Sequence, residues 1–358
     1  MTDFLIIGGG VAGLSAGAHL SELGTVTLLE AETALGYHAS GRSAALYEAN
    51  YGKPSTVALN EASKTYFETV DGGFLSPRGF MLLGKAGDDA PFEADQVEMK
   101  IAEISVDEAV AMVPILNRET VARAAFDPDC WDIDTDRLLQ NYARTIRQNG
   151  GQVLTGQRVS AIARTGAGWE VTSGEQVHAA PMLFNAAGAW ADQVADMAGI
   201  VRLGFRPCRR SMARIPAPGG LDVSSWPMIF GAGESWYAKP DAGKLIVSPS
   251  EEDPMDPMDA WADDMVLAEG IARYEEMVTE PVTRVESNWA GLRTFSPDRS
   301  LVLGPEPSDP KFFWVAGQGG YGFQSSPAAG RFVADQVGGR ASELDAETQA
   351  RLLPSRFR

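Results

Sequence analysis

An α/β fold is expected for this 358-residue chain, with a parallel-sheet layer intimately joined to a second α+β domain built on an antiparallel sheet. Three observations predict it. First, residues 4–30 read strand, turn, helix, strand. The apolar run Phe4–Ile7 is followed at once by glycines, a helix-like stretch through Leu23, and a second apolar run, Val26–Leu29, that leads into Glu30. That is a βαβ unit with a right-handed crossover, its helix expected to start at the glycines and to end at Gly24. Second, Met182–Asn185 and residues 312–316 have the same buried-strand character and also run into glycine-rich turns, the latter before an expected helix over 326–337. Residues 153–154 and 159–162 are further strand candidates, after a helix over Thr135–Gln148. Third, residues 75–83, 209–215, 236–238 and 245–248 alternate apolar with polar side chains, as half-exposed antiparallel strands do. Residues 240–243 supply a hairpin turn between two of them.

The formal net charge of -18 repels nucleic-acid phosphates and anionic headgroups, so neither is an expected partner. Cys130 and Cys208 form no C-x-x-C pair and read as reduced, buried thiols. No apolar run reaches membrane-spanning length, and the stretch 4–20 lacks the basic flank of a signal peptide. A cytoplasmic protein is expected. Residues 251–264, with seven acids and two prolines, read as a solvated surface loop entering a helix. Asp132, Asp134 and Asp136 suggest a cation loop, but Arg137 and Ala143 stand where calcium loops need glycine and glutamate. They are read as helix-capping acids, and no metal is implied.

Gly8-Gly9-Gly10-Val11-Ala12-Gly13 satisfies G-x-G-x-x-G directly after the first strand. Gly8 permits the tight turn, Gly10 lets a pyrophosphate approach the backbone beside Ala12, and Gly13 allows close helix–strand packing. The phosphates would then lie at the positive end of the helix. Glu30, followed by Ala31, is placed to accept hydrogen bonds from ribose hydroxyls, which disfavours a 2′-phosphate. The motif alone does not separate FAD from NAD.

Four later segments resemble, in order, the D-amino-acid oxidase family of FAD enzymes, and within it most the bacterial D-arginine dehydrogenase branch. The resemblance runs nearly end to end. Residues 36–45, with Ser40, Gly41, Arg42, Ser43, Ala44 and Ala45, are similar to the family segment lying along the pyrophosphate and isoalloxazine. Asn185-Ala186-Ala187-Gly188-Ala189-Trp190 resembles the second glycine element of the cofactor domain, and Val159, in a strand candidate, is counted among the cofactor-binding residues. Trp289-Ala290-Gly291-Leu292-Arg293 resembles a substrate-contacting strand. Gly317-Gln318-Gly319-Gly320-Tyr321-Gly322-Phe323-Gln324 resembles the turn and helix start beneath the flavin, whose amides would stabilise charge near N1. The resemblance implies a Rossmann-like FAD-binding domain over residues 1–73, 129–200 and 290–358, and a substrate-binding domain over 74–128 and 201–289. Gly291 takes the apparent place of the cysteine that anchors flavin in sarcosine-type relatives, which implies non-covalent FAD.

Flavin amine oxidation needs the substrate Cα–H aimed at the reactive ring nitrogen, and gripping the carboxylate achieves that. Arginine suits the task because its planar fork pairs with carboxylate in two parallel hydrogen bonds. Arg210 and Arg293 match the family's two carboxylate-binding arginines, Tyr237 a tyrosine that joins them, and Tyr51 a mobile-loop tyrosine over the substrate. Arg209 reads as a surface ion pair. His19 and His178 read as structural and solvated, and His38 as near the cofactor loop, so no histidine is assigned as general base. With a neutral substrate amine, hydride passes from Cα to N5 without one. D-arginine-type enzymes carry an acid where this chain has Phe80. With Phe80, Met228 and Phe230 around it, the side-chain pocket suits an apolar or modest-sized D-amino acid, and Glu48, on the loop before Tyr51, is the candidate to restore a negative charge. The expected reaction gives an imino acid, then 2-oxo acid and ammonia, with an unidentified acceptor reoxidising the flavin. Alternatives are the same fold acting on glycine, a secondary amine or a 2-hydroxy acid, and, of another class, a non-catalytic FAD- or NAD-binding module.

Overall fold

A computed structural model describes residues 2–358. The N-terminal strand Phe4–Ile7 pairs in parallel with Val26–Leu29 on one side and Met182–Asn185 on the other. Gln152–Leu154 extends the sheet beyond Val26–Leu29, and Asp309–Ala316 beyond Met182–Asn185. The antiparallel strand Val302–Glu306 closes that edge, making six strands. Parallel strands covered on both faces need apolar residues throughout, and Phe4–Ile7 and Val26–Leu29 are buried along their whole length. Fully burying a side chain such as Leu14 or Leu28 contributes about 2 kcal/mol.

The first helix, Val11–Leu20, is buried nearly all round, because Thr135–Gln148 and Ser326–Gly338 both lie against it. A β-carbon at Gly330 would come within 2.3 Å of Ser15 Oγ, and one at Gly17 within 2.8 Å of Ile146. The helix stops at Leu20, earlier than the Gly24 expected. The Ser21 and Gly24 amides close the last turn on the Gly17 and Leu20 carbonyls, and Gly24 needs no left-handed backbone.

The second sheet has nine strands, antiparallel except where Phe80–Lys85 runs parallel to Met228–Gly231. Its strands are not half-exposed, as the alternation suggested. Met81, Leu83, Ile229, Ala238, Leu245 and Val247 enter one core, while Phe80, Leu82, Met228, Phe230, Tyr237 and Ile246 enter another. Period-two alternation here sorts residues between two packed faces rather than between core and water. The second face is the one turned toward the first domain. Residues 75–83 also split, since Leu75–Pro77 joins a small separate sheet with Leu46–Tyr47 and Trp131–Ile133. Val159–Arg164 belongs to a three-stranded antiparallel sheet rather than to the parallel layer. Among the described residues no helix is long and apolar enough to cross a membrane.

Candidate active site

The glycine motif sits where the turn requires it. Gly8 has φ +115°, and a β-carbon there would lie 2.3 Å from the Ala186 carbonyl oxygen. At Gly13 a β-carbon would lie 2.0 Å from the Gly8 carbonyl oxygen, so this glycine serves packing. Beside them opens a cavity of about 350 Å³ lined by Gly8, Gly10, Glu30, Ala31, Ser40, Arg42, Val159 and Gly188. Gly13 and Gly41 stand behind its wall, and the Gly41 amide closes a turn on the Gly36 carbonyl. The Glu30 carboxylate is buried and accepts the Gly9 amide at 2.6 Å and the Glu32 amide at 2.8 Å, which fixes its direction. Ser40 Oγ caps the Val11 amide at 3.0 Å.

Arg42 lines this cavity but does not carry a free charge toward it. Its guanidinium donates to Asp259 at 2.5 Å, to the Ala260 and Ala290 carbonyls at 2.9 Å each, and to the Tyr37 carbonyl at 3.2 Å. Its donors fasten residues 259–260 to the strand Ser287–Phe295. The acidic stretch is an exposed loop entering a helix, as expected, with Asp253, Asp256, Asp259 and Asp264 all exposed, yet several of its acids are also paired. Asp253 pairs with Arg209 at 2.8 Å, and Glu252 with Arg299 at 2.9 Å. Asp263 caps the helix Asp264–Glu276. The loop thus straps the edge of the cavity. Asp259→Ala is expected to speed cofactor release by about tenfold, the loss of one charge-assisted bond, measured by flavin fluorescence after dilution of the loaded protein.

A second cavity continues from the first and is lined by Gly10, Ala12, Ser43, Gly188, Arg210, Arg293, Gly319, Gly320, Gly322 and Phe323. Tyr321 lies outside its wall, its ring 5.1 Å from that of Tyr51. The helix after this turn begins only at Ser326. Its first amides are taken by Tyr321 O, Phe323 O and Ser63 Oγ, and Pro327 has none. The expected helix-terminus amides are therefore not free. Among the described residues the amides of Gln318, Gly320, Gly322, Phe323 and Gln324 in the turn lack acceptors.

The innermost cavity, about 70 Å³, gathers Ala44, Ala45, Glu48, Tyr51, Phe80, Met228, Phe230, Tyr237, Arg293 and Gln324. Strand pairing sets this convergence, with Phe230 opposite Tyr237 on one side and Leu82 on the other. The Phe80 and Phe230 rings lie 5.3 Å apart. Glu48 is buried, and burial pushes its carboxyl above the usual range. It faces the Cys130 thiol at 2.5 Å and the Asn50 amide at 2.9 Å, so it is no free counter-charge. Gln324 staples the Tyr51 loop, accepting from the Glu48 amide and donating to the Tyr51 carbonyl.

Sequence reasoning missed the residue at the centre. Glu234 Oε1 accepts from Arg210 Nη1 at 3.0 Å, Tyr51 Oη at 3.2 Å and Arg293 Nη1 at 3.4 Å. Burial opposes its charge, but the two guanidiniums hold its carboxyl below the usual range. Arg210 is buried, with Nε on the Glu251 carbonyl at 3.0 Å and Nη2 on Glu252 at 3.4 Å. The Tyr237 hydroxyl, in contrast, is buried and has no partner. Lys239 was missed too; its ammonium joins Asp132 at 2.7 Å and the Ala44 and Ala45 carbonyls, tying that segment to the second sheet. Asp132 therefore pairs with Lys239 and Arg78 instead of capping a helix, while Asp134 does cap one. The glycines flanking residue 232 were the only sequence hint that Glu234 lies on a sharp turn.

None of the three histidines lines the innermost cavity. His38 borders the first cavity, 3.2 Å from Glu32. His19 is held near a pKa of about 4 by burial and by Arg331 and Arg340. His178, expected in solvent, has its Nε2 sealed off without a partner.

A family model described as DAO, FAD dependent oxidoreductase, matches residues 3–336. The chain belongs to this family. The bovine FAD-dependent oxidoreductase domain-containing protein 1 is 27% identical over 405 residues, covering 94% of this chain and 81% of the relative. Glycine oxidase from Geobacillus kaustophilus superposes with a TM-score of 0.83 at 22% identity, covering 98% of each chain. FAD-bound L-alpha-glycerophosphate oxidase from Mycoplasma pneumoniae gives 0.84 at 20% identity, covering 94% of each. These last two show a shared fold. The cofactor of this oxidoreductase is FAD, and the residues present fit it: a helix N-terminus behind a glycine turn, a buried acid at the second strand's end, and open turn amides on the far side. No cysteine lines any of the three cavities.

Proposed function

We propose that this family member oxidises a small D-amino acid to an imino acid, which water converts to 2-oxo acid and ammonia. The observation that carries the reading is the Tyr237 hydroxyl, buried and unpartnered in the small cavity that Arg293 also lines. A buried polar atom left open costs roughly 1–3 kcal/mol, a cost removed by a ligand that brings an acceptor. A carboxylate across Arg293 and Tyr237 does so and fixes the orientation of the attached Cα–H. Non-covalently bound FAD supplies the hydride acceptor. Gly8, Gly10, Ala12 and Glu30 would hold its adenosine and pyrophosphate end, and residues 43–45 with the 319–323 turn its ring end. In this division residues 1–73, 129–200 and 290–358 carry the cofactor, and 74–128 and 201–289 the substrate. The Phe80, Met228 and Phe230 walls and the engaged Glu48 favour an apolar side chain over a guanidinium. Nothing found favours the D-arginine branch itself. The absence of histidine from the cavity supports hydride transfer from a neutral amine. The two buried free thiols support a reducing, cytoplasmic setting.

A second reading, oxidation of glycine or a secondary amine, draws on the likeness to glycine oxidase and on a cavity of about 70 Å³. Anaerobic bleaching of the bound flavin by D- and L-amino acids, glycine, sarcosine and 2-hydroxy acids separates the two. Fastest bleaching by small apolar D-amino acids is expected. Bleaching by sarcosine or hydroxy acids alone overturns the assignment.

A further inference from the structure

Three donors that an amino-acid carboxylate would need are already engaged by one side chain of the protein. Glu234 Oε1 takes Arg210, Arg293 and Tyr51 together. While it does so, every nitrogen of Arg210 has a partner, the others being the Glu251 carbonyl and Glu252. A ligand reaches Arg210 only by taking the place of one of these.

The backbone marks Glu234 as the one that yields. Glu234 has φ +53° directly after Gly233 at φ +71°. For a residue with a β-carbon that conformation costs about 1 kcal/mol. It persists because the loop is pinned on both sides: the Gly233 amide donates to Asp95 at 2.6 Å, and the Gly231 amide to the Trp236 carbonyl at 2.9 Å. Glu252, by comparison, is also held by Arg299 through both oxygens, at 2.9 and 3.0 Å. Glu234 is an incomplete occupant as well, since it leaves the Tyr237 hydroxyl unpartnered.

We propose that Glu234 stands in for the substrate carboxylate in the ligand-free enzyme, so that amino-acid binding exchanges one carboxylate for another on the Arg210–Arg293 pair. This rests on the clamp reading given above. One buried guanidinium, Arg210, and one partly buried, Arg293, are thereby kept paired when no ligand is present, avoiding the penalty of uncompensated buried charge. The incoming carboxylate gains Tyr237 in addition, and its apparent affinity is lowered by the competition. The same contact works in reverse. The 2-oxo acid product keeps its carboxylate, and the return of Glu234 to the arginines helps to expel it.

The test is a titration of FAD-loaded protein with acetate, which has a carboxylate and no amine, followed through the visible spectrum of the flavin. Glu234→Gln removes the competing charge. Glu234→Gly removes the side chain at a left-handed position that glycine adopts without strain, which guards against a folding defect in the first variant. Both are expected to bind acetate about tenfold more tightly than the parent, the loss of one charge-assisted competitor, and to show a lower KM for the amino acid. Unchanged or weaker acetate binding in both variants overturns the proposal, as does an absence of acetate binding in all three proteins. Unchanged acetate binding with weakened amino-acid binding assigns Glu234 to the substrate ammonium instead. Because acetate binding needs no turnover, it is read separately from the substrate panel, whose failure would count against the amino-acid reading alone.

Discussion

Arg293→Met is expected to lower kcat/KM for the amino acid by two to three orders of magnitude while FAD stays bound. Removing one partner of a buried, hydrogen-bonded charge pair costs about 2–5 kcal/mol, or about tenfold for every 1.4 kcal/mol. Arg293 is the anchor best placed to show it. Although burial works against its charge, the neighbouring Glu234 carboxylate helps hold the guanidinium above its ordinary range. Its own tie to Glu234 is long, 3.4 Å, and Arg210 keeps Glu234 at 3.0 Å without it. The fold therefore loses little in the variant, whereas Arg210→Met would strand Glu252 and the Glu251 carbonyl. Arg293→Lys keeps the charge but loses the fork, so it should recover only part of the activity. Gly320 adds a steric check, because a β-carbon there would lie 2.9 Å from Arg293 Nη1. Steady-state kinetics beside flavin content measures both effects.

Gly13→Ala is expected to abolish cofactor uptake together with much of the stability. Its new methyl would stand 2.0 Å from the Gly8 carbonyl oxygen and 3.1 Å from the Ala186 side chain. Both belong to strand ends or turns that have no room to retreat, so the helix must lift from the sheet, at about 3 kcal/mol or more. Gly8→Ala adds backbone strain at φ +115° to a 2.3 Å approach to the Ala186 carbonyl oxygen. Gly166→Ala is the control, with ordinary backbone and nothing within 4 Å. Thermal melting and the yellow colour of the purified proteins should separate the control from both motif variants.

What was legible in the sequence was what recurs at fixed spacing or short range. The Phe4–Ile7 and Val26–Leu29 runs, the glycines between them and Glu30 lie within one βαβ unit, and local pattern defines such a unit. Arg210, Arg293 and Tyr237 were singled out because they sit in strand segments resembling known ones. Glu234, Asp259 and Lys239 were not. Glu234 meets Arg293 across 59 residues, Asp259 meets Arg42 across 217, and Lys239 meets Ala44 across 195. Contacts of that kind leave no periodicity. The alternation in 75–83 and 245–248 was real but misread, because a strand between two cores and a strand between core and water share the same period of two. The exposed loop at 251–264 was legible as such, but its pairs with Arg42, Arg209 and Arg299 were not, because an acid bound to a distant arginine has the same composition as an acid in water.

Central to the account is a carboxylate held by Arg293 and Tyr237 beside bound FAD. Anaerobic mixing of the loaded protein with D-alanine or with ethylamine, which lacks only the carboxylate, tests it most directly. The predicted result is rapid bleaching of the flavin by D-alanine and none by ethylamine at the same concentration. Equal bleaching by the two, or bleaching by neither while a chemical reductant still decolours the flavin, would contradict it.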